Sequence, residues 1–315
     1  MIILTMKSFF YAKSQVLNEQ ISIIEDLKKA VLLKPLSPKE KTKLRWLALV
    51  KRIHTSFLLA NKTATLETIK KLFTTAGKTN LTYLEKEIFN YKKALDFLYQ
   101  DWLINNIPIT PDDLIRLYRI AFDKKQPINY LELEECLKYV QINTEHPIIQ
   151  ASLAMIIILS LSSTPENELF SYLVFLLFLY KNGYDFRRLV VFEEYFFQNG
   201  KIYKEMITKS IKKENLTDWL EYVSQAMSYQ LQKTLRDIDF KEKDQEVNAN
   251  FFELNDRQKN ILSLFDRPDN KISNRVVMKK FKISPVTASR DLSKLVNLGL
   301  LLTIGKGRST YYIKI

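Results

Sequence analysis

The chain has 315 residues, 46% of them hydrophobic and 12% aromatic, which excludes a disordered or fibrous protein and suggests two domains. It carries 48 Lys and Arg against 35 Asp and Glu, a net charge of +13. One cysteine, Cys136, excludes a disulfide framework and a thiolate metal cluster, and the two histidines, His54 and His146, argue against a metal site. With 6 glycines and 9 prolines there is little room for sheet turns, so we predict a mainly α protein. The start MIILTMKSFF lacks the order of a signal peptide, so we expect a cytoplasmic protein.

Helical signals dominate the chain up to about residue 236. The segments Ser37-Pro38-Lys39-Glu40 and Thr110-Pro111-Asp112-Asp113 each combine an N-cap residue, a proline at the first helical position and an acid in the first turn. Further helices are predicted near 8–33, 40–60, 80–104, 128–141 and 203–236. The charged stretch Asp239–Asn250 lacks apolar periodicity, so we predict a helical domain over 1–238, a linker over 239–253 and a second domain over 254–315.

The most apolar region, 151–180, consists of two runs, ASLAMIIILSLS and LFSYLVFLLFLY, separated by a polar segment, 163–168. Each run has 12 residues, whereas a helix needs roughly 20 to cross a bilayer. We therefore predict two buried core helices joined by a tight loop, and no membrane association. The second helix is expected to end at Asn182-Gly183, where a left-handed cap is natural.

Three phrases of the helical domain occur in a characteristic order: Asn90-Tyr91-Lys92-Lys93-Ala94-Leu95, then Glu145-His146-Pro147-Ile148, then Lys181-Asn182-Gly183-Tyr184-Asp185-Phe186. In these phrases the sequence resembles the Fic (Fido) family over roughly residues 40–315. The resemblance implies a Fic-like helical domain. Active members of that family transfer AMP from ATP to hydroxyl side chains of proteins, and many members end in a winged helix.

The family's catalytic loop has the form HPFx(D/E)GNGR. Its histidine is the general base, its glycine-rich backbone binds phosphates, its acid holds Mg²⁺ and its arginine neutralises phosphate charge. The resemblance aligns this loop with 162–170, where one acid is kept, Glu166, and the other positions have changed: Ser162 for the base, Asn167 and Leu169 for the glycines, Glu168 for the asparagine and Phe170 for the arginine.

These changes remove the chemistry of the loop. A serine has no nitrogen that titrates near neutrality, and without glycines the backbone is less free to form a phosphate-binding nest. We predict an ordinary helix start, with Thr164 as N-cap, Pro165 next and Glu166 just inside. We therefore expect an inactive AMP-transferase site with no cofactor and no metal. His146-Pro147 lies elsewhere, and we interpret it as the start of the preceding helix.

Many family members also carry an inhibitory helix, (S/T)xxxE(G/N), whose glutamate pairs with the loop arginine. The corresponding stretch is Thr55–Asn61, with Leu59 at the glutamate position. Leu59 and Phe170 would then replace both members of one ion pair. The alternative is that the alignment is off by a residue and Leu59 is simply part of the core.

The segment Leu254–Ile315 has 13 basic and four acidic residues, a local net charge of +9. Helices are predicted at its start, over Arg275–Phe281 and over Pro285–Asn297, the last with Val286, Leu292, Leu295 and Val296 facing inward and Gly299 as its cap. Strands over Leu300–Ile304 and Thr310–Ile315 follow, around a basic hairpin. This order is that of a small α+β winged helix-turn-helix domain.

The helix that begins at Ser284-Pro285 resembles the recognition helices of DeoR-like and Fic-associated winged modules. The resemblance implies that Thr287, Ser289 and Arg290 lie in the major groove of DNA, and that Lys294, Lys306 and Arg308 contact phosphates. Alternatively, Arg290 pairs with Asp291 or a neighbouring helix, the wing is a solvated hairpin, and the module binds protein.

The sequence thus predicts a DNA-binding, transcriptional-regulator-like protein with double-stranded DNA as its partner. Its Fic-like domain would serve as a platform for a homodimer, a ligand or a protein partner. Two alternatives remain open: a divergent protein AMP-transferase that uses ATP and Mg²⁺ with a non-standard base, and an interaction partner of an active Fic enzyme.

Overall fold

The computed structural model describes residues 9–74, 80–102, 107–124, 129–142, 145–243, 254–265, 270–305 and 310–314. Over these ranges the protein is mainly helical, with a small two-stranded sheet near the C-terminus, which confirms the predicted fold class. We refer to residues 9–243 as the helical body and to residues 254–314 as the C-terminal module.

The helical body is built from eleven α-helices over the described residues: α1 (Gln15–Leu33), α2 (Pro38–Leu59), α3 (Leu66–Thr74), α4 (Tyr83–Trp102), α5 (Pro111–Phe122), α6 (Tyr130–Ile142), α7 (Pro147–Leu161), α8 (Pro165–Lys181), α9 (Glu193–Gln198), α10 (Gly200–Lys213) and α11 (Thr217–Lys243). A short 3₁₀ turn, Phe186–Arg188, connects α8 to α9. The predicted capping boxes are present at Ser37 and Thr110, where each N-cap side chain and the acid three residues later bond to each other's backbone N–H.

Helices α7 and α8 form a hairpin at the centre of the core, as predicted. All residues of Ala151–Ile158 on α7 and of Leu169–Tyr180 on α8 are buried, because both helices are apolar around their whole circumference. Trp219 of α11 packs against this hairpin and donates its indole N–H to the carbonyl of Ser152 at 2.8 Å. Within the part of the chain that the structure describes, no helix combines the length and the apolar character needed to cross a membrane. Gly183 ends α8 with a φ of +74°, the left-handed conformation expected there.

One predicted helix is divided in the structure. The stretch predicted as a helix over 203–236 is broken at Glu214, whose φ of +56° ends α10, and the buried Leu216 precedes α11. Helix α11 then continues to Lys243, beyond the predicted start of the linker at 239. Burial of Ile238 and an ion pair between Asp239 and Lys34 stabilise this extension, and neither contact was visible as local periodicity. Residues 244–253 of the predicted linker lie outside the described residues.

Over its described residues, the C-terminal module has three helices, α12 (Asp256–Ser263), α13 (Asn274–Phe281) and α14 (Pro285–Asn297), and two antiparallel strands, β1 (Leu301–Ile304) and β2 (Tyr311–Lys314). Strand β1 pairs with β2 in the register Leu301 opposite Lys314, and Ile272 forms a bridge to Tyr312. The module has its own hydrophobic cluster, which includes Ile261, Phe265, Val277, Leu292 and Leu295.

The orientation of one side chain in α14 differs from the prediction. Val286, expected to face inward, is 59% exposed, whereas Ala288 is fully buried. Val286 lies in the first turn of α14, and the buried residues of this helix begin only at Ala288. The side chain is therefore exposed although it is apolar. Leu298, the residue directly after α14, is buried in the core of the helical body.

Candidate functional site

The loop between α7 and α8 occupies the place where the sequence resembles a catalytic loop. Helix α7 ends at Leu161, and Thr164 caps α8 by accepting a hydrogen bond from the N–H of Asn167 at 3.2 Å. The Ser162 hydroxyl donates to Thr164 at 3.4 Å. The predicted order of N-cap, Pro165 and Glu166 is therefore present, and part of the positive helix terminus is already occupied by protein groups.

Asn167 joins the two helices of the hairpin. Its side chain is 1% exposed, and its amide nitrogen donates to the carbonyls of Ile158 and Ser162, both at 2.7 Å. These carbonyls belong to the end of α7, where a helix lacks its own donors. An asparagine thus occupies a position where the resemblance places a glycine, and its amide forms hydrogen bonds with carbonyls at the end of α7.

Two lysines lie close to Glu166, which the resemblance aligns with the acid of the catalytic loop. Its carboxylate lies 3.3 Å from the Lys124 ammonium and 3.9 Å from that of Lys62. Burial alone would raise the pKa of Glu166, but a backbone hydrogen bond, the hydrogen bond from Lys124 and the charge of Lys62 together lower it. The carboxylate is therefore ionised at neutral pH, with cations from the protein beside it.

Glu168 and Phe170 turn into the protein. The Tyr172 hydroxyl donates to Glu168 at 3.0 Å and lies 3.0 Å from the Tyr203 hydroxyl, and burial raises the pKa of Glu168. Phe170 is fully buried, with its ring edge-to-face against Tyr118 at a centroid separation of 5.2 Å. Leu169 is buried beside it. The residue that the resemblance aligns with the loop arginine is thus an aromatic ring in the core.

Leu59, which the resemblance aligns with the glutamate of an inhibitory helix, is the last residue of α2 and is 4% exposed. It belongs to the same hydrophobic cluster as Phe170. The stretch Thr55–Asn61 is the end of α2 followed by a left-handed residue at Asn61, and it does not form a separate helix.

Neither histidine is at the loop. His146 caps α7, accepts the N–H of Ile148 at Nδ1, and has its Nε2 3.2 Å from the Tyr184 hydroxyl and 3.3 Å from Glu25; burial lowers its pKa. The Nδ1 atom of His54 is 2.6 Å from the carbonyl of Ala64. Across the described ranges, no group of three or more His, Cys, Asp and Glu side chains is arranged to hold a metal ion.

An open groove of about 460 Å³ lies next to Glu166, between the start of α4 and the end of α5. Lys124 and Glu87 line the groove. Lys124 donates a hydrogen bond to Glu166, and Glu87 forms an ion pair with Lys62, which also lies near Glu166. The groove could hold a ligand of small-molecule size, and its lysines would favour a negative charge.

The second candidate surface is the exposed face of α14. Ser289 and Arg290 are exposed and Thr287 is half-buried, with its hydroxyl 2.9 Å from that of Ser284, the N-cap. Lys294 is half-buried one turn further along the helix. Lys306 and Arg308, predicted to contact phosphates, lie outside the described residues.

Asp291 fixes the opposite face of α14. It is 4% exposed, and it accepts hydrogen bonds from Arg257 at 2.6 and 3.3 Å and from Gln258 at 2.8 Å. Asp291 therefore pairs with α12, and Arg290 makes no hydrogen bond or ion pair with another described residue. Arg257 and Gln258 could not be identified from the sequence, because their partner is more than 30 residues away and no local pattern marks the contact.

No protein-family model matches the chain, and no curated protein matches it in sequence. Among solved structures, the chain is similar to a Fic family protein from Desulfovibrio desulfuricans G20, with a TM-score of 0.55, 11% sequence identity and 97% of each chain covered. This coverage includes both the helical body and the C-terminal module. At this identity the likeness concerns the fold, and the chain has a Fic-like fold.

Proposed function

We propose that the protein binds double-stranded DNA through its C-terminal module, acting as a winged helix-turn-helix, and that it functions as a transcription regulator. The observation that carries the proposal is the surface of α14, on which Ser289 and Arg290 are exposed while the opposite face is buried and tied to α12. Its segment of the chain holds 13 of the 48 basic residues, and this charge would attract a polyanion.

The shape of α14 suits the major groove. Its 13 residues make a helix about 20 Å long, and its N-terminal turn is the part not covered by the module core. Arg290 can donate two hydrogen bonds to a guanine, and Ser289 can bond to any base edge. The exposed Val286 would contact a thymine methyl group. The sequence did not suggest this contact, because it predicted that Val286 faces inward.

Phosphate contacts would come from Lys294 on α14 and from Lys306 and Arg308, which lie between the two strands in sequence. Such contacts hold the module on the duplex without reading its sequence, because the phosphates are the same at every base pair. The exposed charge of the module would therefore supply affinity and the start of α14 would supply specificity.

The test is the affinity of the full chain for a selected duplex and for a scrambled duplex, measured by fluorescence anisotropy over a salt series. Arg290→Ala should reduce binding to the selected site by about 1–3 kcal/mol more than binding to the scrambled one. Arg236→Ala removes the same charge from an exposed position of α11 and should leave both affinities unchanged. Equal weakening of both duplexes by Arg290→Ala would mean that α14 does not read bases.

For the helical body we propose a platform without AMP-transferase activity, which binds a ligand, a second copy or a protein partner. The buried Phe170 and the amide bonds of Asn167 support this, since the loop has neither a guanidinium for phosphate nor a free backbone nest. The chain should not label itself or a lysate with AMP from radiolabelled ATP.

A divergent AMP-transferase is the second candidate, and one feature favours it: an ionised Glu166 beside a groove of about 460 Å³. The same labelling assay decides between the two. Labelling that depends on Mg²⁺ and is abolished by Glu166→Ala, but kept in Glu205→Ala on the exposed face of α10, would establish the enzyme and contradict the platform.

A further inference from the structure

Four basic side chains gather at the end of α8 that is remote from the α7–α8 loop. Lys41 and Arg45 belong to α2, and Arg187 and Arg188 to the turn that follows α8. Because α8 has 17 residues, its two ends are about 25 Å apart, so this cluster is separate from the loop described above. The carboxylate that acts on both Lys41 and Arg45 is that of Asp185, which leaves an excess of positive charge.

Neither Arg45 nor Arg188 forms an ion pair with a described carboxylate. The Arg45 Nε–H donates to the carbonyl of Arg187 at 3.0 Å, and the Arg188 guanidinium lies over the Tyr99 ring at 3.6 Å from its centroid. No described carboxylate is within 4.0 Å of either guanidinium, and the buried Nε of Arg188 has no hydrogen-bond partner among the described residues. Burial, and then the charge of Arg188, lower the pKa of Arg45 to about 10.

The turn that carries Arg188 is conformationally unfavourable. Three successive residues have positive φ, +45° at Phe186, +56° at Arg187 and +62° at Arg188, although none is glycine. Two anchors maintain it: the buried Phe186 ring packs edge-to-face against Phe192, and the Arg187 guanidinium donates to the carbonyls of Val31 and Lys34. Positive φ at a residue other than glycine costs free energy, so the turn persists because these anchors over-determine its conformation.

Arg45 and Arg188 both line a cavity of about 50 Å³ between the helical body and the C-terminal module. Leu301 and Leu302 of β1 form part of its wall. The volume is that of a few water molecules, so it suits a phosphate-sized group and excludes a nucleotide base.

The other charged groups of the cavity are neutralised. Arg52 donates to Glu193 at 3.1 Å and to the Tyr180 hydroxyl at 3.2 Å, and Asp96 accepts from Lys92 at 2.7 Å. The two guanidinium groups of Arg45 and Arg188 are thus the charges available to a bound group among the described residues.

We propose that this cavity binds a phosphate group, held by the guanidinium groups of Arg45 and Arg188. The ligand is either inorganic phosphate or the terminal phosphate of a small metabolite, since both present the same tetrahedral dianion to the two arginines. A bound phosphate would neutralise two like charges and tie β1 of the module to α2 of the body. Phosphate binding at this site requires neither DNA binding nor AMP transfer, so this proposal is independent of the proposed function.

The experiment is calorimetric titration of the full chain with inorganic phosphate and with glycerol 3-phosphate, at constant ionic strength, with chloride as the reference anion. One phosphate per chain should bind. Arg45→Gln and Arg188→Gln should each weaken binding by about tenfold or more, because each removes a charge-assisted pair of hydrogen bonds. Arg236→Gln, an exposed arginine of α11, is the matched control and should bind like the unaltered chain.

Arg188→Lys is a second variant for the case in which Arg188→Gln does not fold. It keeps the positive charge but loses the planar guanidinium and its stacking on Tyr99. It should fold and bind phosphate weakly. Tighter binding of glycerol 3-phosphate than of phosphate would identify a metabolite phosphate, and the reverse order would identify the free ion. Absence of saturable binding to either, or equal weakening by Arg236→Gln, would overturn the proposal. Loss of DNA affinity in Arg188→Gln without any phosphate binding would overturn it too, in favour of a DNA contact.

Discussion

At the scale of single residues, the α7–α8 loop depends on Asn167. A glycine there would leave the carbonyls of Ile158 and Ser162 without the donors that the Asn167 amide supplies. The hydrogen bond to Ile158 is buried and the one to Ser162 is partly buried, so the first in particular has no water to replace it and is expensive to lose. Asn167 is therefore a structural residue of the hairpin.

Asn167→Ala should lower the free energy of unfolding by about 2–4 kcal/mol, since one buried and one partly buried acceptor lose their donor. Asn182→Ala is the control, because the Asn182 amide also donates to a backbone carbonyl, that of Phe178 at 2.8 Å, from an exposed position. It should cost about 1 kcal/mol. Urea unfolding measures both values, and equal losses would show that Asn167 has no special role in the hairpin.

At the scale of elements, the position of α14 depends on one buried carboxylate. Asp291 accepts three hydrogen bonds from the start of α12, so it sets which face of α14 is turned away from solvent. Its partner Arg257 is partly exposed, and the hydrogen bond to Asp291 raises the pKa of Arg257. The hydrogen bond therefore stabilises the charged guanidinium of Arg257 beside Asp291.

Asp291→Ala should destabilise the C-terminal module by about 3 kcal/mol, because it leaves the amide of Gln258 and the guanidinium of Arg257 without their acceptor. The control is Lys259→Ala, which removes an exposed pair with Asp256 at 3.2 Å and should change stability by less than about 0.5 kcal/mol. The unfolding of the module can be followed by hydrogen exchange of α12 and α14 amides. If both variants exchange alike, Asp291 does not hold α14 in place.

At the scale of the whole molecule, the helical body and the C-terminal module each have a hydrophobic cluster, and they meet at the end of α14. Leu298 contributes to the cluster of the body, and the cavity with Arg45 and Arg188 lies beside it. Leu254 and Leu300 pack against both clusters, so the two parts share an apolar contact while each keeps its own core.

Residues 254–315 alone should bind duplex DNA with a salt dependence close to that of the full chain, whereas residues 1–243 should not bind. The division follows α11 to its end at Lys243 and avoids cutting its last turns. The isolated module should also be less stable than in the full chain, because Leu298 becomes exposed. Electrophoretic mobility shifts test the first expectation, and a shift of equal strength with residues 1–243 would show that DNA binds the helical body.

Much of this organisation was predictable from the sequence. The caps at Ser37, Thr110 and Thr164, the α7–α8 hairpin and the order of elements after residue 254 all follow from interactions between residues a few positions apart. Such interactions depend on local spacing and on backbone groups at helix ends, which a sequence displays directly.

The tertiary structure alone decided which side chains meet across the fold. The exposure of Val286, the break at Glu214 and the pairing of Arg257 with Asp291 depend on how elements pack. The proximity of Arg45 to the turn at Arg187, 142 positions apart, depends on α2 lying against the end of α8. Periodicity tells which residues share a face of one helix, but the partner of that face is set by burial of apolar surface over the whole molecule, and no local pattern records it.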